Sequence, residues 1–421
     1  MSVPSVDLDW VTGVLWGGSD NVDIRLNGRV AHGRVVDELA VLPSIERPRL
    51  LVPLTSARAA SRVLRHYTTS KHTVRLATAA LAAGARLGLG EKVFRDRLSV
   101  AVPAATAEHE LAEMVLEEHL KVILGRRDVH VGVVFNAGRP QKKPVLWLMD
   151  ARGDLLAFVK IGWNDHTAAL VRHEADALRR LAARQRPPET FDVAPLIYGG
   201  RWQTLEVLVV EAHPALPWYR RRRIVTDLPL DATREVAALG TVETGTFVSS
   251  DYWSRYRLRI ESLVGSADRR ISDAVAELVG RLEERYFDLE LAFATAHGDW
   301  LPWNMAVVAG RLLVWDWERS ATDVPVGMDA IHFLFQVELN LKRRPPRIAV
   351  LRTLELAREL FPSLMLPRCL VPFLLSLHLI EMTLRLEEGR SRGVGGVIPN
   401  SRYHDSIEAV LEEELRFRPR G

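Results

Sequence analysis

His297-Gly298-Asp299-Trp300-Leu301-Pro302-Trp303-Asn304, followed by Asp316-Trp317-Glu318 and then by Asp329, is the stretch that decides how this chain is read. An Asn stands five residues after the first Asp, and a second Asp closes the apolar run Leu312-Leu313-Val314-Trp315. Phosphoryl transfer needs this set in this order. One carboxylate orients an attacking hydroxyl, while an amide and a second carboxylate hold the magnesium ion that bridges the phosphates. The polar residues lie among Leu301, Leu312, Leu313, Val314 and Trp315, so apolar walls are expected around them.

Upstream, Phe158-Val159-Lys160-Ile161 reads as a strand carrying one lysine, and Arg172-His173-Glu174-Ala175 falls on the helical pattern that follows. Only seven of the 56 basic residues are lysine, so a lysine inside a strand asks for a reason. A kinase-like site needs a cation on a strand touching the α- and β-phosphates, held by a carboxylate on the adjoining helix. A compact ammonium suits that place better than a guanidinium fork. Taken alone, such a pair is an ordinary ion pair worth ~0–1 kcal/mol. Its order before the opening stretch is what gives it meaning.

Together these residues resemble the aminoglycoside phosphotransferase and choline kinase group, small-molecule kinases with a protein-kinase-like fold. The resemblance spans about residues 107–420 and is strongest over H-G-D-x-x-x-x-N and Asp316-Trp317-Glu318. It implies an α+β, two-lobed fold: a small antiparallel sheet with one helix, then a mainly helical lobe. It further implies Asp299 as catalytic base, His297 as support of the catalytic loop, and Asn304 and Asp316 as magnesium ligands. Asp329 matches a carboxylate that braces the loop's backbone, and Glu318 an acid often found two residues after the metal Asp. Lys160 and Glu174 would serve the phosphates, and Val209-Val210-Glu211-Ala212 resembles the hinge whose backbone meets the adenine. The implied cofactors are ATP and Mg2+, with a small hydroxylated acceptor: a sugar, an aminoglycoside-like compound or an amino alcohol.

One segment departs from that pattern. Residues 136–143 hold a single glycine, Gly138, where the family has a Gly-rich phosphate loop. Gly138 allows a backbone turn there, and Arg139, Lys142 or Lys143 would lend charge to the phosphates. The thin loop supports a competing reading, a nucleotide-binding regulatory protein of kinase fold with little or no turnover.

The rest of the chain divides into three blocks. Residues 1–105 form an N-terminal α/β extension of unknown role, with strand-like pieces at 22–26 and 50–52 and helical patterns at 57–67 and 72–87. Residues 106–213 form the small lobe: a helix over 107–124 ending at Gly125, strands at 129–135, 145–149 and 155–161, a helix over 168–183, and a strand at 205–210. Residues 214–421 form the helical lobe, interrupted by a hairpin of 305–308 and 312–315 around Gly310. Trp315 and Trp317 flank Asp316 and are expected in the core, and packing is also favoured for Trp300 and Trp303.

With 421 residues and a net charge of +3, the chain can bury a large core and shows no bulk attraction to nucleic acid. Arg220-Arg221-Arg222-Arg223 and Lys342-Arg343-Arg344 read as solvated faces. The single cysteine, Cys369, forms no internal disulfide and is expected in the core. The acidic start MSVPSVDLDW is no signal peptide, and 370–380 is too short and polar to span a bilayer, so a cytoplasmic protein is expected.

Overall fold

The computed structural model describes residues 8–16, 21–28, 30, 33–67, 72–89, 93–135, 144–212, 225–264, 268–391 and 401–416. Gly138 with the rest of 136–143, Arg220–Arg223, and Gly393, Gly395 and Gly396 lie outside them. The chain forms two compact units, Met1–Arg184 with Ala194–Arg221, and Gln185–Val193 with Arg222–Gly421.

Among the described residues, the first unit is built on one antiparallel sheet of nine strands. Their spatial order is Asp23–Leu26, Arg97–Val102, Arg34–Leu42, Leu50–Pro53, His130–Val134, Val145–Met149, Leu155–Gly162, Leu205–Glu211 and Leu196–Trp202. The seam between the N-terminal four and the other five is the pairing of Leu50 with Val134 and Leu51 with Val133. The sheet thus runs across residue 105, where the sequence reading sets a boundary. Leu50, Leu51 and Val52 are buried on both faces, and so apolar a strand left at a sheet edge would template aggregation, so it takes a partner on each side.

Alternation sorts the side chains onto two faces. Leu39, Val41, Leu51, Leu146 and Leu148 join the cluster covered by the helices Leu8–Trp16 and Leu116–Leu124. Ala40, Leu50, Val52, Trp147 and Met149 join the cluster covered by Ala57–His66 and His72–Arg86. The single helix expected over 107–124 is two, Glu108–Met114 and Leu116–Leu124, broken at an extended Val115 (φ −122°). That break lets Leu111, Val115, Leu116 and Leu120 all reach the same core. The helix Asp165–Ala182 starts at Asn164, whose side chain accepts from the Thr167 backbone N–H at 2.8 Å.

The second unit is mainly helical. Its helix Met328–Gln336 is buried along its whole length, as a helix without a solvent face must be. It packs against the helices Pro346–Leu360 and Leu370–Ser391. The strands Met305–Val308 and Arg311–Val314 form a hairpin, with Ala309 (φ 49°) and Gly310 (φ 84°) both left-handed as a tight two-residue turn requires. Phe191–Val193 adds a parallel strand to it. A second small sheet joins Glu243–Thr246, Glu290–Ala296 and Ala321–Pro325.

Cys369 corrects an expectation: it is exposed. It sits in the turn just before Leu370, where the apolar helix begins. No helix among the described residues is long and apolar enough to cross a membrane.

Candidate active site

In the second unit, the strand Glu290–Ala296 delivers the chain to His297 and the hairpin carries it away after Asn304. Between them the loop is tied at several points. Asp329, at the start of the buried helix, accepts the His297 N–H on Oδ2 at 2.7 Å and the Gly298 N–H on Oδ1 at 2.9 Å. His297 is fully buried; its Nδ1 accepts the Asp299 N–H at 3.2 Å, and its Nε2 lies 3.1 Å from the Trp315 carbonyl. An imidazole that accepts at Nδ1 and donates from Nε2 is neutral. Burial pushes His297 below the ordinary histidine value, against the opposing pull of Asp329, Asp299 and Asp316. His297 is therefore a brace.

Gly298 is left-handed at φ 75°, and a Cβ there would meet the Arg319 carbonyl oxygen at 2.2 Å. No other residue fits. The loop's backbone is held on its far side by Arg385, whose Nη1 donates to the Gly298 carbonyl at 2.9 Å.

Asp299 follows. Its side chain is 28 % exposed, which leaves the carboxylate reachable from solvent. Asn304 Nδ2 donates to Oδ2 at 2.7 Å and to the Asp299 carbonyl at 2.9 Å, while His332 Nε2 lies 3.3 Å from Oδ1. Burial works to raise the Asp299 pKa, but the hydrogen bond from His332 and the charge of Arg385 hold it well below the usual carboxylate range. It is ionised at any physiological pH.

The hairpin register sets the remaining pair. Met305 pairs with Val314, and one step further the Trp315 N–H donates to the Asn304 carbonyl at 3.1 Å. Asn304 thus stands one residue away, across the ladder, from Asp316. The backbone of Asp316 is left-handed (φ 72°), a conformation rare outside glycine and met where structure holds a side chain in a set direction.

A buried ionic group supports the loop from the helix Leu370–Ser391. Glu381 pairs with Arg385, and with Arg259 Nη1 at 2.6 Å, while Arg259 Nε reaches Glu388 at 2.7 Å. Burial opposes ionisation of Glu381, yet the charges of Arg385 and Arg259 bring its pKa down to about 2. Arg319 lies among these charges, and burial and Arg385 lower it to about 10.

The first unit holds its own pair. Lys160, on the strand Leu155–Gly162, places Nζ at 2.7 Å from both oxygens of Glu174 on the helix Asp165–Ala182. The Glu174 side chain is 3 % exposed and that of Lys160 15 %. The pair is buried, unlike a surface ion pair, so removing either partner would strand the other. At the end of the strand Leu205–Glu211, the Glu211 N–H donates to the Pro195 carbonyl and the Ala212 N–H to the Leu156 carbonyl, both at 2.9 Å. The backbone donors at both positions are thus already engaged.

Trp300 is fully buried, donates to Thr233 Oγ1 at 3.1 Å and packs near Phe191 and His297. Trp317 is buried, stacked on Phe191. Trp303 is 46 % exposed, against the expectation of packing. Trp315 is half-buried, because the strand ends at Val314 and alternation no longer governs it. Sequence reasoning missed His332, His378, Arg385 and Arg319. Three of these carried a signal: His332 follows Asp329 by one helical turn, and His378, Glu381 and Arg385 recur at spacings of three and four within an apolar run.

No protein family model and no curated protein matches the chain. Among solved structures it is similar to a thermostable mutant of aminoglycoside phosphotransferase APH(4)-Ia in ternary complex with ADP and hygromycin B. That match has 12% identity and a TM-score of 0.47 over 70% of this chain and 98% of the other. The gentamicin complex of APH(2")-IIa gives 10% identity and a TM-score of 0.44 over 70% and 95%. The amicoumacin kinase hAmiN, in complex with AMP-PNP, Ca2+ and Ami, gives 13% and 0.41 over 67% and 88%.

Proposed function

We propose that this chain transfers the γ-phosphoryl group of Mg-ATP to a hydroxyl of a small molecule. The observation that carries the reading is Asp299: a reachable carboxylate, hydrogen-bonded at both oxygens, on a loop braced by Asp329, with Asn304 and Asp316 both at the open end of one hairpin. In this reading the fold is protein-kinase-like, with the N-terminal strands added to the small sheet.

The donor set fits a hard divalent cation. Asn304 turns its Nδ2 to Asp299, and its amide oxygen accepts no hydrogen bond among the described residues. That oxygen and the Asp316 carboxylate are the ligand type magnesium takes. When bound, the ion neutralises the charge of the transferring phosphates.

The protein's own part is positional. Asp299 accepts the hydrogen bond of the acceptor hydroxyl and orients its oxygen for in-line attack on the γ-phosphorus. The bond from that phosphorus to the β,γ-bridging oxygen breaks, ADP leaves, and the hydroxyl proton passes to the carboxylate. Lys160, locked by Glu174, supplies the cation for the α- and β-phosphates. Most of the rate then comes from orientation and fixed charge.

The acceptor is identified by incubating the protein and Mg-ATP with a cell extract and seeking, by mass spectrometry, a metabolite gaining one phosphoryl group. Such a product, absent when Asp316→Ala replaces the wild type, is expected. Nucleotide binding without any product, in the extract and across a panel of sugars, aminoglycosides and amino alcohols, would favour the regulatory alternative.

A further inference from the structure

Asn304 accounts for one Asp299 oxygen, and the proposed reaction gives the group on the other no role. His332 is 5 % exposed and reaches Asp299 Oδ1 with Nε2 from the same buried helix that supplies Asp329. Its Nδ1 faces a second buried imidazole: Nδ1 of His378, 1 % exposed, lies 3.4 Å away, with the rings edge-on at 72°. Two facing nitrogens bond only if one of them carries a hydrogen.

The surroundings choose which. Burial, with His332 and Arg385 nearby, holds His378 well below the ordinary histidine value, so it is neutral and has one N–H. Its Nε2 is buried and has no hydrogen-bond partner among the described residues. A hydrogen there would be an orphaned donor, which costs more than an idle lone pair. The hydrogen therefore sits on Nδ1 and is donated to His332 Nδ1. His332, accepting at Nδ1, must carry its own hydrogen on Nε2, facing Asp299.

We propose that His332 is a positioning residue for the Asp299 carboxylate, and that His378 holds it in the tautomer able to donate. The inference rests on the reading of Asp299 as the base and adds to that site the device that fixes the carboxylate's rotation. With Oδ1 and Oδ2 each given a donor, the carboxylate plane is set before any acceptor arrives. A carboxylate free to turn about its Cβ–Cγ bond would lose orientation, where small misplacements cost up to about a hundredfold.

Two measurements test this. Nitrogen NMR of the imidazole rings in the wild-type protein should show hydrogen on Nε2 of His332 and on Nδ1 of His378. The reverse tautomers would overturn the proposal whether or not an acceptor is known. In turnover, His332→Leu should lower kcat about tenfold to a hundredfold, with KM for ATP and nucleotide affinity within about twofold of wild type. His332→Gln, whose amide can still donate, should recover most of that loss, and adding His378→Leu to His332→Leu should cost nothing further. Unchanged kcat in His332→Leu, no recovery in His332→Gln, or additive losses would reduce the pair to core packing. Asp299→Ala with undiminished kcat would instead sink the base assignment, leaving the tautomers to be judged by NMR alone.

Discussion

Two buried acid clusters, one in each unit, hold their charge in opposite ways. In the first, Asp37 on the strand Arg34–Leu42 meets Glu117 on the helix Leu116–Leu124, and Lys121, 3.0 Å from Glu117, is shared with Glu118 at 2.8 Å. Burial and the charge of Glu117 raise Asp37 well above its ordinary value, and burial raises Glu117 too, so both carboxyls favour the protonated form more than they would in water. In the second unit, Glu381 is as enclosed yet ionised, because Arg385 and Arg259 surround it, and the partly open Asp299 is held ionised by the His332 hydrogen bond and Arg385. Acid burial by itself thus says little about a site. What distinguishes the second unit is that its cations also hold the loop's backbone, through the Gly298 carbonyl.

The largest effect that sharpens this contrast is on turnover. Asp316→Ala should reduce phosphoryl transfer at least about a thousandfold and weaken Mg-nucleotide binding, since charge stabilisation worth several kcal/mol leaves with it. Calorimetric titration with a nucleotide analogue, beside product assays, checks both halves. Retained magnesium-dependent nucleotide affinity would remove Asp316 from the metal site.

Stability comes next. Glu381→Leu removes the carboxylate partner of Arg385 and leaves Arg259 with Glu388 alone, and should destabilise by about 3–5 kcal/mol in urea unfolding. The paired change Glu381→Leu with Arg385→Met should lose markedly less, while Asp37→Asn in the first unit should be neutral or stabilising. Equal losses from Glu381→Leu and Asp37→Asn would erase the contrast.

The pH response should carry opposite signs. Glu381 is depressed from 4.5 to about 2, so its contribution is full above pH 4.5 and is lost as pH falls toward 2. Asp37 is raised from 3.8, so its contribution is full below that value and is lost as pH rises through its folded pKa. Hydrogen exchange, followed separately over the Arg34–Leu42 and Leu370–Ser391 segments, should therefore quicken with rising pH in the first, beyond the intrinsic rate, and with falling pH in the second. Matching trends would contradict the assignment. At the small end, Arg25→Ala removes an exposed pair with Asp23 at 2.9 Å and should shift stability by only ~0–1 kcal/mol.

Much of this was legible in the chain, and the exceptions have physical causes. The hairpin around Gly310 and the strands at 145–149 and 155–161 announced themselves through turn residues and apolar runs. Arg34–Leu42 did not, because Asp37-Glu38 interrupts the alternation and Asp37 is buried beside Glu117. Arg97–Val102 is buried on nearly every residue and so shows no period of two. The proposed functional residues, Asp299, Asn304 and Asp316 in the second unit and the Lys160–Glu174 pair in the first, could be named from order alone. The second unit's supports could not: His332, His378 and Arg385 look like stray polar residues in apolar helices until the helix Met328–Gln336 is seen beside Leu370–Ser391.

Transfer of label from γ-labelled ATP to the acceptor, followed in a single turnover by wild type and Asp299→Ala, tests the central claim most directly. The account predicts that Asp299→Ala binds the nucleotide with about wild-type affinity and transfers label slower by about a hundredfold to ten-thousandfold. Transfer at the wild-type rate would show that the carboxylate at Asp299 does not direct the attacking hydroxyl.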